Sequence, residues 1–175
     1  MENYKPMIAL MIILIAVLTG ADQLIKVWAV NELAGGSSRE FIKIAGKQIV
    51  NLTYTENQGA AFSIMSGKQW FTVGFASAAL IIFAVYIIKN YRKSRPAMIL
   101  SAMVISGGIG NLIDRVRIGY VVDYIELKIF KFAIFNFADI CVTVGVFLLM
   151  IYILFFFSRG TDEKKVTAGE GTPDE

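Results

Sequence analysis

Residues Gly110 to Ile140 read GNLIDRVRIGYVVDYIELKIFKFAIFNFADI, leaving one apolar segment, crossing a polar connection and entering another. The stretch carries three aspartates (Asp114, Asp123, Asp139), two arginines (Arg115, Arg117) and two asparagines (Asn111, Asn136). Asp139 stands at the mouth of a long apolar run. A charge at the centre of a bilayer helix costs about 2.5–3.5 kcal/mol on insertion scales, so such residues are rare and usually functional. The rest of the chain reads as the frame that holds these groups.

The frame is apolar. Of 175 residues, 56% are hydrophobic, and the mean hydropathy is +0.61. Soluble domains are about 45–50% apolar even with glycine counted, so the composition indicates a membrane protein of one compact unit. Four segments are long enough to span a bilayer: residues 7–30, 70–88, 97–113 and 137–157. They leave two connections, 31–69 and 114–136, and a charged tail, 159–175. Residues 1–158 are expected to form a single four-helix membrane domain. The first segment also resembles a signal peptide, with its positive start and small residues at Leu18-Thr19-Gly20-Ala21. Its continuation to Val30 and the three later segments favour a spanning helix. Lys89, Arg92, Lys93 and Arg95 crowd the short connection that ends at Pro96. By the positive-inside rule this loop is cytoplasmic. Both termini are then cytoplasmic, and connections 31–69 and 114–136 lie outside. The net charge of +3 forms no basic stripe interleaved with aromatics, so it reads as membrane topology and not nucleic-acid binding.

Within 31–69, Glu40–Ile44 and Gln48–Tyr54 alternate like two strands around an Ala45-Gly46-Lys47 turn. A small sheet on the membrane surface is expected there. Asp22 and Lys26 lie four apart on one helix face and can pair; a snorkelling pair at the interface is the plainer expectation. Ser106-Gly107-Gly108-Ile109-Gly110 reads as a close-packing helix face, not as a phosphate loop.

Missing residues narrow the chemistry. There is no histidine and a single cysteine, Cys141. That excludes Ser-His-Asp and Cys-His catalysis, histidine-containing metal sites and an intrachain disulfide. Cys141 reads as a buried small hydrophobe. Carboxylates are the acid–base candidates left. Asp123 and Asp139 are 139 − 123 = 16 positions apart, and a chain folding back near Lys131 would bring them opposite each other. Two adjacent carboxylates share a proton, and one can serve as base and the other as acid toward an amide. The plainer alternative is an exposed loop residue at Asp123 and a helix N-terminal charge at Asp139. Spacing alone leaves both open.

Five ordered motifs add to this: Asp22-Gln23-Leu24-Ile25-Lys26, Asn57-Gln58-Gly59-Ala60-Ala61-Phe62, Gly110-Asn111-Leu112-Ile113-Asp114-Arg115, Val122-Asp123-Tyr124 and Phe135-Asn136-Phe137-Ala138-Asp139. In this order and at these depths the chain resembles the bacterial lipoprotein signal peptidases, the type II signal peptidase family, over nearly its whole length. It departs at Ile25, where the family usually has a small hydroxyl residue, and at Cys141, near a position often held by serine. The resemblance implies a four-helix membrane aspartyl endopeptidase with an extracytoplasmic β-sheet cradle. It would remove the signal peptide of a prolipoprotein before its diacylglyceryl-modified cysteine. Asp123 and Asp139 match the catalytic pair. Asn57, Gly59, Asn111, Arg115, Asn136 and Ala138 match positions that line the site and bind substrate. Asp22, Lys26 and Asp114 match structural polar positions, Asp22 pairing with Lys26 and Asp114 with Arg115. No metal or cofactor is implied. The partners are the lipidated prolipoprotein and membrane lipids, with no nucleic acid, and the protein acts as a monomer in the bacterial cytoplasmic (inner) membrane. Three other readings were weighed: a prepilin-peptidase-type aspartyl protease, which would need a GxGD motif where this chain has Gly108-Ile109-Gly110-Asn111; a proton-coupled bundle, which would place charges at mid-membrane; and a non-catalytic lipid-binding module.

Overall fold

A computed structural model of the chain describes residues 5–36, 38–58 and 69–157. The elements run α1 (Lys5–Leu33), β1 (Arg39–Ile44), β2 (Lys47–Asn57), α2 (Gln69–Tyr91), α3 (Arg95–Ile118), β3 (Val121–Leu127) and α4 (Phe137–Tyr152), the last continued by a wider π-helical turn over Ile153–Phe157. Among the described residues, four helices are long and apolar enough to cross a membrane, α4 being counted to Phe156. Their outward faces carry large apolar residues such as Leu24, Phe75, Ile82 and Phe147 in the open. Such a surface suits lipid and would drive association in water. The charged tail and Gly59 lie outside the described residues.

Helix α3 is central and packs against α1, α2 and α4. Its glycines allow this. A Cβ on Gly107 would stand 2.3 Å from the Ala138 carbonyl oxygen, and one on Gly110 would stand 2.4 Å from the Asp22 carboxylate. On α4, a Cβ on Gly145 would meet Val104 and Leu100 of α3. The close-packing reading of this face therefore holds. Cys141 is buried as a small apolar residue.

Helix α3 also corrects the expected boundary at residue 113. It continues to Ile118, so Asp114, Arg115 and Arg117 ride on its last turns and not in a connection. Two local features sustain it. Cations in a last turn interact favourably with the helix dipole. Gly119 then closes the helix in the left-handed region, φ 88°, its N–H donating to the Arg115 carbonyl at 3.2 Å. At the other end Ser94 caps the helix by accepting from the Ala97 N–H.

The expected hairpin forms, with Ala45 and Gly46 at positive φ in its turn. The sheet does not come from the first connection alone. β3, from the second, pairs antiparallel with β2 and gives the order β1-β2-β3. After β3 the chain bends at 128–130 and returns, so that Phe135 bridges back to Ile125. Val122 and Tyr124 pack with Ala29 and Leu33 of α1. A second apolar cluster, around Met11, Ile87, Met98 and Leu149, fills the opposite part of the bundle. Asp22 and Lys26 lie on α1 between the residues that enter these two clusters, in a buried polar layer.

The α3–α4 seam gives a direct test. Gly107→Ala should destabilise by about 1–3 kcal/mol through overpacking. Gly20→Ala, where a Cβ meets nothing within 4 Å, should be neutral or slightly stabilising. Thermal denaturation of both variants in detergent would check the order.

Candidate active site

The N-terminus of α4 is where the site is built. The first helical N–H groups have no intrahelical partner, and a dry environment makes an unsatisfied one expensive. Here each has an acceptor. Asn136 and Asp139 form a reciprocal cap: Asp139 N–H donates to Asn136 Oδ1 at 3.0 Å, and Asn136 N–H donates to Asp139 Oδ2 at 3.1 Å. Phe137 N–H donates to the Tyr124 hydroxyl at 3.1 Å, and Ala138 N–H to Asp22 Oδ1 at 3.1 Å. The spacing Asn136-x-x-Asp139 ahead of an apolar run is the kind of sequence signal that could have revealed this cap, and it was missed.

Asp123 reaches the same place from β3. Its neighbours Val122 and Tyr124 turn toward α1, so strand alternation turns Asp123 the other way. It is buried, and accepts from Asn57 Nδ2 at 2.8 Å and from Asn136 Nδ2 at 2.7 Å. One residue, Asn136, thus touches both carboxylates, Asp123 through its side-chain Nδ2 and Asp139 through its backbone N–H. A second, Asn111 of α3, donates through Nδ2 to Asp139 Oδ1 at 2.8 Å, while its Oδ1 accepts from Asn136 Nδ2 at 3.1 Å. Burial pushes the Asp123 carboxyl up to about 6, and the nearby Asp139 charge adds to this; the Asn57 and Asn136 donors and Lys26 act in the opposite direction.

Behind Asn111 lies an ionic cluster. Lys26 Nζ is 3.0 Å from Asp22, 2.8 Å from Asp114 and 2.9 Å from Asn111 Oδ1. The Lys26 and Asp22 side chains are 3% and 1% exposed. The snorkelling expectation is therefore corrected: the pair is turned inward, because acceptors from α3 wait there. The expected Asp114–Arg115 pair is corrected too. Adjacent positions on a helix point apart, and Asp114 bonds Lys26, Gln23 Nε2 and the Val122 N–H. Arg115 donates to the Asn111 carbonyl and lines a cavity of about 520 Å³. Gln69 donates to the Arg115 carbonyl.

That cavity is bounded by Asn57, Arg115 and Asp139 on its polar side and by Leu127, Phe135 and Val144 among its apolar walls. Of the residues expected to meet substrate, Asn57 and Arg115 line it. Asn111 and Asn136 stand behind the carboxylates as donors. Ala138 is fully buried in the α3–α4 seam, its N–H committed to Asp22, and it does not line the cavity. Gln23 was missed as a site-supporting residue, although it sits between Asp22 and Lys26 in an otherwise apolar run. So was Tyr124, whose hydroxyl caps α4.

A buried Asp123 and a half-buried Asp139, linked through Asn136 and Asn111 beside a cavity and an arginine, suit amide hydrolysis. The family described as "Signal peptidase (SPase) II" matches residues 14–155. This chain belongs to the signal peptidase II family. A lipoprotein signal peptidase of Clostridioides difficile (strain 630) is 40% identical over 150 residues, 86% of this chain and 98% of that one. One of Streptococcus thermophilus (strain CNRZ 1066) is 43% identical over 139 residues, 79% and 88% of the two chains. Two bacterial membrane enzymes solved by the in meso method share the fold, both at TM-score 0.74. The one at 2.3 Å is 29% identical and covers 96% of each chain; the one at 1.9 Å is 32% identical and covers 85% of this chain and 95% of its own. Membership makes the chain an aspartic peptidase of the membrane, the class its linked carboxylates suggest.

The raised Asp123 carboxyl fixes a pH dependence of stability. The folded protein holds a proton there between pH 3.8 and about 6 that the unfolded chain has released. This contribution is therefore complete below pH 3.8 and is lost as pH rises through about 6, on the order of 3 kcal/mol in all. Thermal melts in detergent should show stability falling from pH 4 to pH 7, and the slope should flatten in Asp123→Asn.

Proposed function

We propose that this chain removes the signal peptide of prolipoproteins by cleaving the amide bond before a diacylglyceryl-modified cysteine, with Asp123 and Asp139 as its catalytic pair. The observation that carries the reading is the linkage of the buried Asp123, through Asn136 and Asn111, to Asp139 on the cavity wall. The pair holds one proton. Asp139 accepts from two N–H groups at a helix N-terminus, an arrangement that suits a carboxylate. It takes a proton from water, whose oxygen bonds to the scissile carbonyl carbon. Asp123 carries the shared proton and donates a hydrogen bond to the carbonyl oxygen as negative charge develops there. A proton passes to the amide nitrogen, the C–N bond breaks, and the pair again holds one proton.

Arg115 and Asn57 line the cavity and are suited to hold the substrate backbone. The apolar wall descends α4 through Ile140 to Val144, both partly exposed on the helix's outer side. A wall continuous with the outer face of a spanning helix lets diacylglyceryl chains stay among lipids while the peptide bond meets the carboxylates. The basic α2–α3 connection supports an inside position for that end. The sheet and the carboxylates then sit at the outer face of the bacterial inner membrane, with both termini cytoplasmic. One membrane domain over residues 1–158, acting as a monomer with no nucleic-acid partner, suffices for this chemistry.

Incubating the purified protein with a diacylglyceryl prolipoprotein and with its unlipidated twin should shift only the lipidated substrate on a gel. Asp123→Asn and Asp139→Asn should each lose at least about 100-fold in rate while remaining folded. Normal processing by either variant would overturn the catalytic pair. EDTA should leave the rate unchanged; a loss restored by zinc would overturn a carboxylate-only mechanism.

A further inference from the structure

Lys26 is nearly buried, yet it does more than neutralise its neighbours. An ammonium has three donors and no acceptor, and all three of its bonds are accounted for: Asp22 at 3.0 Å, Asp114 at 2.8 Å and Asn111 Oδ1 at 2.9 Å. The third bond goes to a neutral amide that has two possible orientations. With Oδ1 toward Lys26, Nδ2 faces Asp139 Oδ1 at 2.8 Å. Flipped, the amide would turn its NH2 toward the Lys26 ammonium and the Asn136 NH2, and its oxygen toward the Asp139 carboxylate. Every contact would then be like against like.

We propose that Lys26 is a positioning residue for the hydrolysis: by donating to Asn111 Oδ1 it fixes the orientation in which Asn111 donates to Asp139, and so holds Asp139 in place to take a proton from the attacking water. The inference rests on the proposed peptidase reaction. Asp22 and Asp114 serve the same end, since they hold the ammonium between them. Each also anchors a neighbouring element, Asp22 through the Ala138 N–H and Asp114 through the Val122 N–H. The geometry of Asp139 is therefore set three residues deep, from α1 through α3. Gly110 is part of the arrangement, because only a residue without a Cβ leaves room for the Asp22 carboxylate.

Lys26→Met alone would strand two buried carboxylates and risk unfolding. The informative variant is Lys26→Met with Asp114→Asn, which removes one positive and one negative charge together. It is compared with Asn111→Leu, which removes the amide and keeps the cluster, and with the combination of the two. Rates are measured on the lipidated prolipoprotein and expressed per folded enzyme, as judged by gel filtration and thermal melting. In the double variant kcat should fall about 10- to 100-fold with KM within about 3-fold of the parent, because the cavity lining is untouched. Asn111→Leu should do the same, and the combination should cost no more than either alone, because both act through one hydrogen bond. Wild-type kcat in the folded double variant overturns the proposal, as does full additivity. If the double variant does not fold, Asn111→Leu decides: an unchanged kcat there shows that the Asn111 hydrogen bond does not position Asp139, and the proposal falls. Failure of the parent to cleave the substrate would instead overturn the peptidase reading itself.

Discussion

A single ammonium group holds the sheet end of this molecule together. Lys26 lies in a region walled by spanning helices, where an unpaired charge would cost several kcal/mol. It is tolerated because Asp22, Asp114 and Asn111 surround it. The acceptors are themselves tied down. Asp22 receives the Ala138 N–H of α4, and Asp114 receives the Val122 N–H of β3. One cluster thereby joins α1, α3, α4 and the sheet. Hydrophobic burial cannot supply that fixity, since lipid solvates apolar side chains as well as a protein interior does. Polar pairing and close glycine contacts specify the packing instead.

The same economy of donors and acceptors explains why the catalytic residues lie where they do. A helix that begins inside a membrane protein must satisfy its first N–H groups internally. The Phe135–Asp139 motif meets that demand with a reciprocal Asn–Asp cap, a tyrosine hydroxyl and a borrowed carboxylate. Capping leaves Asp139 anchored at a helix N-terminus with one oxygen still reached by Asn111. Asp123 is brought alongside by a strand whose other face packs on α1. The structural requirement and the chemical one are met by the same atoms. Asn136 caps α4 through its Oδ1, reaches the Asp123 carboxylate and the Val122 carbonyl through its Nδ2, and holds the Asp139 carboxylate through its backbone N–H.

Much of this was legible in the chain. The four apolar runs, the basic connection and the absence of histidine required no structure, since hydropathy and side-chain chemistry act locally. The turn at Ala45-Gly46 and the small-residue face of α3 were likewise readable. The boundary at residue 113 was not, because a drop in hydropathy marks the end of an apolar segment and not the end of a helix; α3 runs on until Gly119. The partner of Asp114 was misread for a related reason. Arg115 is its neighbour in sequence but points away from it, and the true partner sits 114 − 26 = 88 positions earlier.

By itself, the sequence determined that this is a four-span membrane protein without histidine, which leaves carboxylates as its main acid–base candidates. It also narrowed the candidates to the polar residues of five short motifs. Only the tertiary structure decided how those motifs meet. β3 joins a sheet begun in another connection, Lys26 turns inward and not toward an interface, and Ala138 serves the helix seam and not the cavity. The physical reason is that a buried polar group has no preference encoded in its own neighbourhood. Its position is settled by whichever distant donor or acceptor can satisfy it, and that is known only once the chain has folded.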